Sequence, residues 1–134
     1  MSLETALTNT QKTVPECVSV GLVDMKTGML LGFKNASVYP QEFLDLVAAA
    51  TGDMFQGSNV TMIEQMFRKQ RGMKEDGRHY FREIIILSDN LMHVFQRCKR
   101  NEDLVLVTIA RNSANLGMVI AKSRAALVGV EAEV

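Results

Sequence analysis

The sequence has no tryptophan, only two cysteines and no excess charge of either sign. Each shortage excludes something. Fifteen Lys and Arg balance fifteen Asp and Glu. Nucleic-acid binding depends on clustered cations that neutralise phosphates, so no nucleic-acid partner is expected. Cys17 and Cys98 lie in apolar segments. They read as reduced core thiols, although a disulfide between them stays open at this stage. No run approaches the roughly 18 apolar residues of a membrane span. The first residues lack the basic start and apolar stretch of a secretory signal. A soluble, cytoplasmic protein is expected. Its 134 residues fit a single domain, and a chain of that size can bury enough surface to fold without disulfides or metal.

Chemistry-bearing patterns are also scarce. There is no Gly-rich loop followed by Lys and Ser or Thr, so the phosphate cradle of a P-loop GTPase is missing. The two cysteines and two histidines match no zinc-ligand spacing, and no metal or cofactor is expected. His79 and His93 have no nucleophile and orienting group at a recognisable spacing. His93 lies between Met92 and Val94 and reads as an ordinary strand histidine. Cys98 precedes Lys99 and Arg100, which could lower a thiol pKa, but a structural thiol is favoured. Asp24 reads as a turn-former. No enzyme is expected.

What the chain does have is nine methionines and a clear alternation of patterns. Methionine suits irregular cores and adaptable contact surfaces. Residues 3 to 13 read as a short N-terminal helix or arm. In CVSVGLVD, Val18, Val20 and Leu22 alternate with smaller residues, the period of a strand. The turn DMKTG leads to a return strand, MLLGF. After Pro40, residues Phe43, Leu46, Val47, Ala50 and Met54 form one apolar helical stripe. Gly57-Ser58-Asn59 interrupts it. Ser58 or Asn59 can cap a further run in which Val60, Ile63, Met66, Phe67 and Gln70 share a face. The pattern leaves open whether residues 40–71 make one kinked helix or two. Three strands are predicted next: Tyr80 to Leu87, Leu91 to Cys98, and Leu104 to Ala110. Asn112 or Ser113 can cap a last helix that carries Leu116, Val119, Ile120, Ser123 and Leu127. Residues 129–134 read as a frayed tail. The expectation is an α/β (α+β) fold: one five-stranded, mainly antiparallel sheet, first and last strands central, helices on both faces.

At this point the chain resembles the Roadblock family, the dynein light-chain type domain with a profilin-like fold. The hairpin VSVGLVDMKTGMLLG is similar to the family's opening strand, turn and return. The segment FREIIILSDNLMHVFQRCKRNEDLVLVTIA is similar to its three-stranded meander. NSANLGMVIAKSRAAL resembles its closing helix, with Asn115-Leu116-Gly117 matching a recurrent Asn-Leu-Gly. The likeness spans roughly residues 3 to 128. One departure is the stretch from Gly57 to Gly72, which lengthens the central helical region.

The resemblance implies a non-catalytic homodimer that regulates or scaffolds a small Ras-like GTPase or a larger assembly. It implies that the third strand and central helix meet their counterparts, through Phe81, Glu83, Ile85, Leu87, Met62 and Met66. The residues agree on separate grounds. Ile84 to Leu87 is apolar on both faces, and a long apolar edge strand is an open template unless covered. Cover by the lengthened helical region within one subunit is the competing expectation. Arg68, Lys69 and Arg71, like Arg97, Lys99 and Arg100, read either as solvated helix and turn ends or as docking points for an acidic partner. A second class of function stays open: a small-molecule sensor in which Met54, Phe55, Met62, Met66 and Phe67 line a pocket.

Overall fold

In the computed structural model, which describes residues 2–35, 40–74 and 77–134, Ser2 opens the chain's first helix. Its side chain accepts the Thr5 N–H at 3.1 Å. Helix α1 (Leu3–Thr13) then buries Ala6, Leu7 and Thr10 on one face. Strand β1 (Cys17–Asp24) and strand β2 (Met29–Asn35) form the first hairpin. Asp24 forms the turn as expected, accepting the Lys26 N–H on its carboxylate and the Gly28 N–H on its carbonyl.

The helical region resolves into two helices, α2 (Gln41–Gln56) and α3 (Ser58–Gln70). Gly57 separates them at ψ 150. A side chain there would sit 2.7 Å from the Asp53 carbonyl oxygen, so only glycine fits without a shift. Gly57 itself is the N-cap of α3; neither Ser58 nor Asn59 caps it.

Strands β3 (Glu83–Leu87), β4 (Leu91–Arg97) and β5 (Leu104–Arg111) form an antiparallel meander. The sheet order is β2-β1-β5-β4-β3, so the first and last strands pair in the middle and β3 is an edge. Helix α4 (Leu116–Glu131) closes the fold. Asn115 caps it, accepting the Met118 N–H at 3.0 Å. Asn112 does something else: its amide holds the β3–β4 turn through the Ser88 and Asp89 carbonyls. Gly117 lies in the first turn of α4. A side chain there would meet the Asn115 capping oxygen at 3.2 Å and no part of the sheet.

The tail expected to fray from residue 129 instead continues α4 to Glu131, with Val130 fully buried. The Glu131 carboxylate accepts the Lys99 and Arg100 backbone N–H groups, tying this helix end to the β4–β5 turn.

Helices cover both faces. Along β5, Leu104 and Leu106 join the core under α1 and α4, while Val105 and Val107 join the core under α2. That alternation explains why β5 is apolar almost throughout. Each such fully buried side chain stabilises the fold by roughly 1.5–3 kcal/mol. α1 also lies close to β2. A side chain at Gly32 would come within 2.7 Å of Leu7 Cδ1, itself 1% exposed. Gly32→Ala is therefore expected to lose about 1–2 kcal/mol by overpacking, measured as a lower urea midpoint with unchanged m.

Both thiols are free. Burial pushes Cys17 up to about 11. Burial first, and Glu131 second, push Cys98 up to about 12. Lys99 and Arg100 do not activate the Cys98 thiol.

Candidate interaction surface

Helix α3 has inverted polarity. Its buried residues are Glu64 and Arg68, 4% and 6% exposed. Its apolar stripe points outward, with Met62 59% and Met66 64% exposed and Ile63 and Phe67 exposed as well. The run Val60, Ile63, Met66 and Phe67 does share a face, but not one turned to the core.

The chain leading into β3 is the reason. Residues 79–81 approach α3 with backbone N–H groups that need acceptors. Glu64 supplies them for Tyr80 and Phe81. Its carboxylate accepts the Tyr80 N–H at 2.7 Å and the Phe81 N–H at 2.9 Å, and its other oxygen lies 3.2 Å from His79 Nδ1. Burial works to raise the Glu64 pKa. The Phe81 N–H, His79 and the Tyr80 N–H outweigh it, and the net direction is down. Arg68, one turn further on, donates to the Arg78 carbonyl at 2.5 Å and lies 5.8 Å over the Tyr80 ring. Phe67 stacks on Tyr80 and meets Phe81 edge-on.

The same loop is fastened on its other side. Glu102 accepts the His79 N–H and pairs with Arg82. Arg82 also donates to the Cys98 carbonyl, and Arg78 to the Lys99 carbonyl. Polar groups, with Phe67, thus hold α3 against the loop, and Met62, Ile63 and Met66 stay exposed.

The loop fastened to this helix leads into the edge strand β3. Glu83 faces α4: Arg124 binds its carboxylate through two nitrogens, and Gln96 donates at 3.0 Å. The Arg124 hydrogen bond is the main reason the Glu83 pKa is lowered. Alternate residues share a face, so Ile85 and Leu87 lie on the same side as Glu83. Both are exposed, as is Ile86. On α2, Phe43 and Leu46 are also exposed, because the helix turns Ala48, Thr51 and Phe55 inward instead.

The expected site residues therefore divide. Ile85, Leu87, Met62 and Met66 are exposed apolar side chains on β3 and α3. Phe81 precedes β3 and packs on Phe67, so it is a loop residue. Glu83 is engaged within the subunit. The cluster Arg68, Lys69 and Arg71 is split: Lys69 and Arg71 are exposed, but Arg68 is buried against the loop. Arg97 likewise leaves the second basic cluster. It is 2% exposed and donates to the Phe55, Gln56 and Glu102 oxygens. The expected ring of Met54, Phe55, Met62, Met66 and Phe67 around one pocket does not form, since Met62, Met66 and Phe67 face outward. Ile63 and Phe67 belong to the outward face and were not expected there. Among the described residues, no three of His, Cys, Asp and Glu converge as a metal-ligand set, and no helix is long and apolar enough to cross a membrane.

The architecture is shared with solved structures. A Roadblock/LC7 domain from Streptomyces avermitilis superposes with a TM-score of 0.69, at 14% identity, over 98% of this chain and 96% of that one. The chain has the Roadblock/LC7 fold. The gliding protein MglB from Thermus thermophilus matches with a TM-score of 0.66 and 20% identity, over 94% of this chain and 83% of that one. MglC from Myxococcus xanthus matches with a TM-score of 0.62 and 14% identity, over the full length of both chains. No protein-family model and no curated protein matches the sequence. Within this Roadblock fold, the edge strand β3 and the helix fastened to the loop that enters it both carry outward apolar residues.

Proposed function

We propose that the chain is a non-catalytic, homodimeric interaction module of the cytoplasm, a regulator or scaffold for a small Ras-like GTPase or a larger assembly. One observation carries the reading. α3 buries Glu64 and Arg68 and exposes Met62, Ile63, Met66 and Phe67, next to the entry of an edge strand that exposes Ile85, Ile86 and Leu87. A free apolar edge of this kind is an aggregation hazard. A symmetric second copy removes it, pairing β3 with its counterpart and α3 with its counterpart. A stable interface of this type buries on the order of 1,200–2,000 Å². The Roadblock fold supports the reading, as does the likeness to MglB and MglC. Lys69 and Arg71, exposed at the C-terminal end of α3, suit an acidic partner surface.

Light scattering tests the dimer. The native chain is expected at twice the mass of one subunit. Ile85→Lys places a charge on the exposed edge and is expected to give a folded species of half that mass. A native monomer at high micromolar concentration would overturn the reading.

A further inference from the structure

Between α2 and the sheet lies a cavity of about 330 Å³ that shares only Ile86 of the exposed β3 residues. α2 packs mainly over β1 and β2. Beneath it, Val47 and Met54 of α2 face Ile86, Phe95 and Ile109 of the sheet across the space. Such a volume is at the small end of ligand pockets, roughly 300–1,000 Å³. A helix about 10 Å across would fill it in roughly one turn or less. The space therefore suits a small molecule and not a docking helix.

Its polarity is equally restrictive. His93 is the one ionisable residue among the described residues that line it. The other polar side chains there are already bonded, Thr51 to the Val47 carbonyl and Ser19 to Asn35. His93 Nε2 lies 3.1 Å from Ser88 Oγ, and its Nδ1 makes no hydrogen bond among the described residues. Burial lowers the His93 pKa, which keeps the imidazole neutral at neutral pH. With no countercharge in the wall, a charged occupant would be desolvated without compensation.

We propose that this cavity is a binding site for a small, uncharged, apolar molecule with a single hydrogen-bonding group, oriented by His93. The site lies under α2, whereas Ile85 and Leu87 face the opposite side of the sheet; Ile86, on the edge strand, borders the cavity.

The test is a methyl NMR titration of the full chain with octan-1-ol, and separately with octanoate at pH 7. Octan-1-ol is expected to give saturable shifts of the Met54, Ile86 and Ile109 methyls, with octanoate at least ten-fold weaker. Val47→Phe and Ile109→Phe each fill the cavity from a different wall. Each is expected to weaken octan-1-ol binding at least ten-fold while the Met54 and Ile86 signals stay dispersed. If one variant does not fold, the other decides. Non-saturable shifts, shifts centred on the exposed Met62 and Met66, equal affinity for octanoate, or full affinity in a folded filled variant would overturn the proposal.

Discussion

Arg97→Met will lose about 3 kcal/mol of folding stability, one of two effects of that size expected from removing a buried charge. The guanidinium is 2% exposed on β4. It donates to the Phe55 carbonyl at 2.9 Å, the Glu102 carbonyl at 3.0 Å and Gln56 Oε1 at 3.3 Å. It also lies 4.9 Å over the Phe55 ring. The Phe55 carbonyl belongs to the last turn of α2, where carbonyls lack helical partners and carry the negative end of the helix dipole, and Gln56 adds a side-chain oxygen from the same turn. One side chain thus fastens the end of α2 to the sheet and to the β4–β5 turn. Burial itself disfavours the charge and lowers the Arg97 pKa. Methionine relieves that cost but leaves three acceptors unpaired, each worth about 1–3 kcal/mol. The loss wins. Arg97→Lys will recover little, because an ammonium lacks the planar fork that reaches acceptors on two sides. Urea unfolding of the three proteins measures both differences.

Glu64→Leu is the second, and will cost about 3 kcal/mol as well. Hydrogen bonds to a charged acceptor are worth roughly 1.5–3 kcal/mol each. Glu64 takes the N–H groups of Tyr80 and Phe81 and faces His79 Nδ1. Leucine fills the space and accepts nothing. Glu64→Gln keeps one acceptor oxygen and will lose about half as much. The pH dependence has a definite sign. The folded carboxyl titrates below its ordinary value. Its contribution is therefore complete above the unfolded glutamate pKa of about 4.3. It disappears as pH falls through the lower folded value. The stability gap between the native chain and Glu64→Gln should be full at pH 6 and close progressively below about pH 4.

These two residues also mark where sequence reading reaches its limit. The sheet was legible because its signals are local. β1 alternates, Asp24 makes a turn, and β5 is apolar almost throughout, as a central strand covered on both faces must be. The helices were legible as helices for the same reason. Which way they face was not. In α3, apolar periodicity marks a face correctly but cannot say whether core or partner will cover it. The decisive fact is that Glu64 and Arg68, a turn apart, meet a loop some ten or more residues away. An i,i+4 charge pair ordinarily reads as a solvated face. Arg97 was hidden likewise: side-chain chemistry does not distinguish it from Lys99 and Arg100. Strand phase was the missed signal, since β4 reaches Arg97 and the two that follow lie in the turn. Tyr80 and Phe81 have strand composition, yet their N–H groups go to Glu64 and the strand starts at Glu83. Val130 looked like tail because α4 is apolar on several sides, and only packing on Leu7, Leu104 and their neighbours fixes its inner face.

Hydrogen exchange at β3 tests the central claim most directly. The strand is the edge of the sheet, so alternate amides of Glu83–Leu87 point away from β4. If a second copy pairs with this edge, those outward amides will exchange slowly, their protection will grow with protein concentration, and Ile85→Lys will abolish it. Exchange of the outward amides at unprotected rates at every concentration, with the β4-paired amides still protected, would contradict a β3-paired dimer.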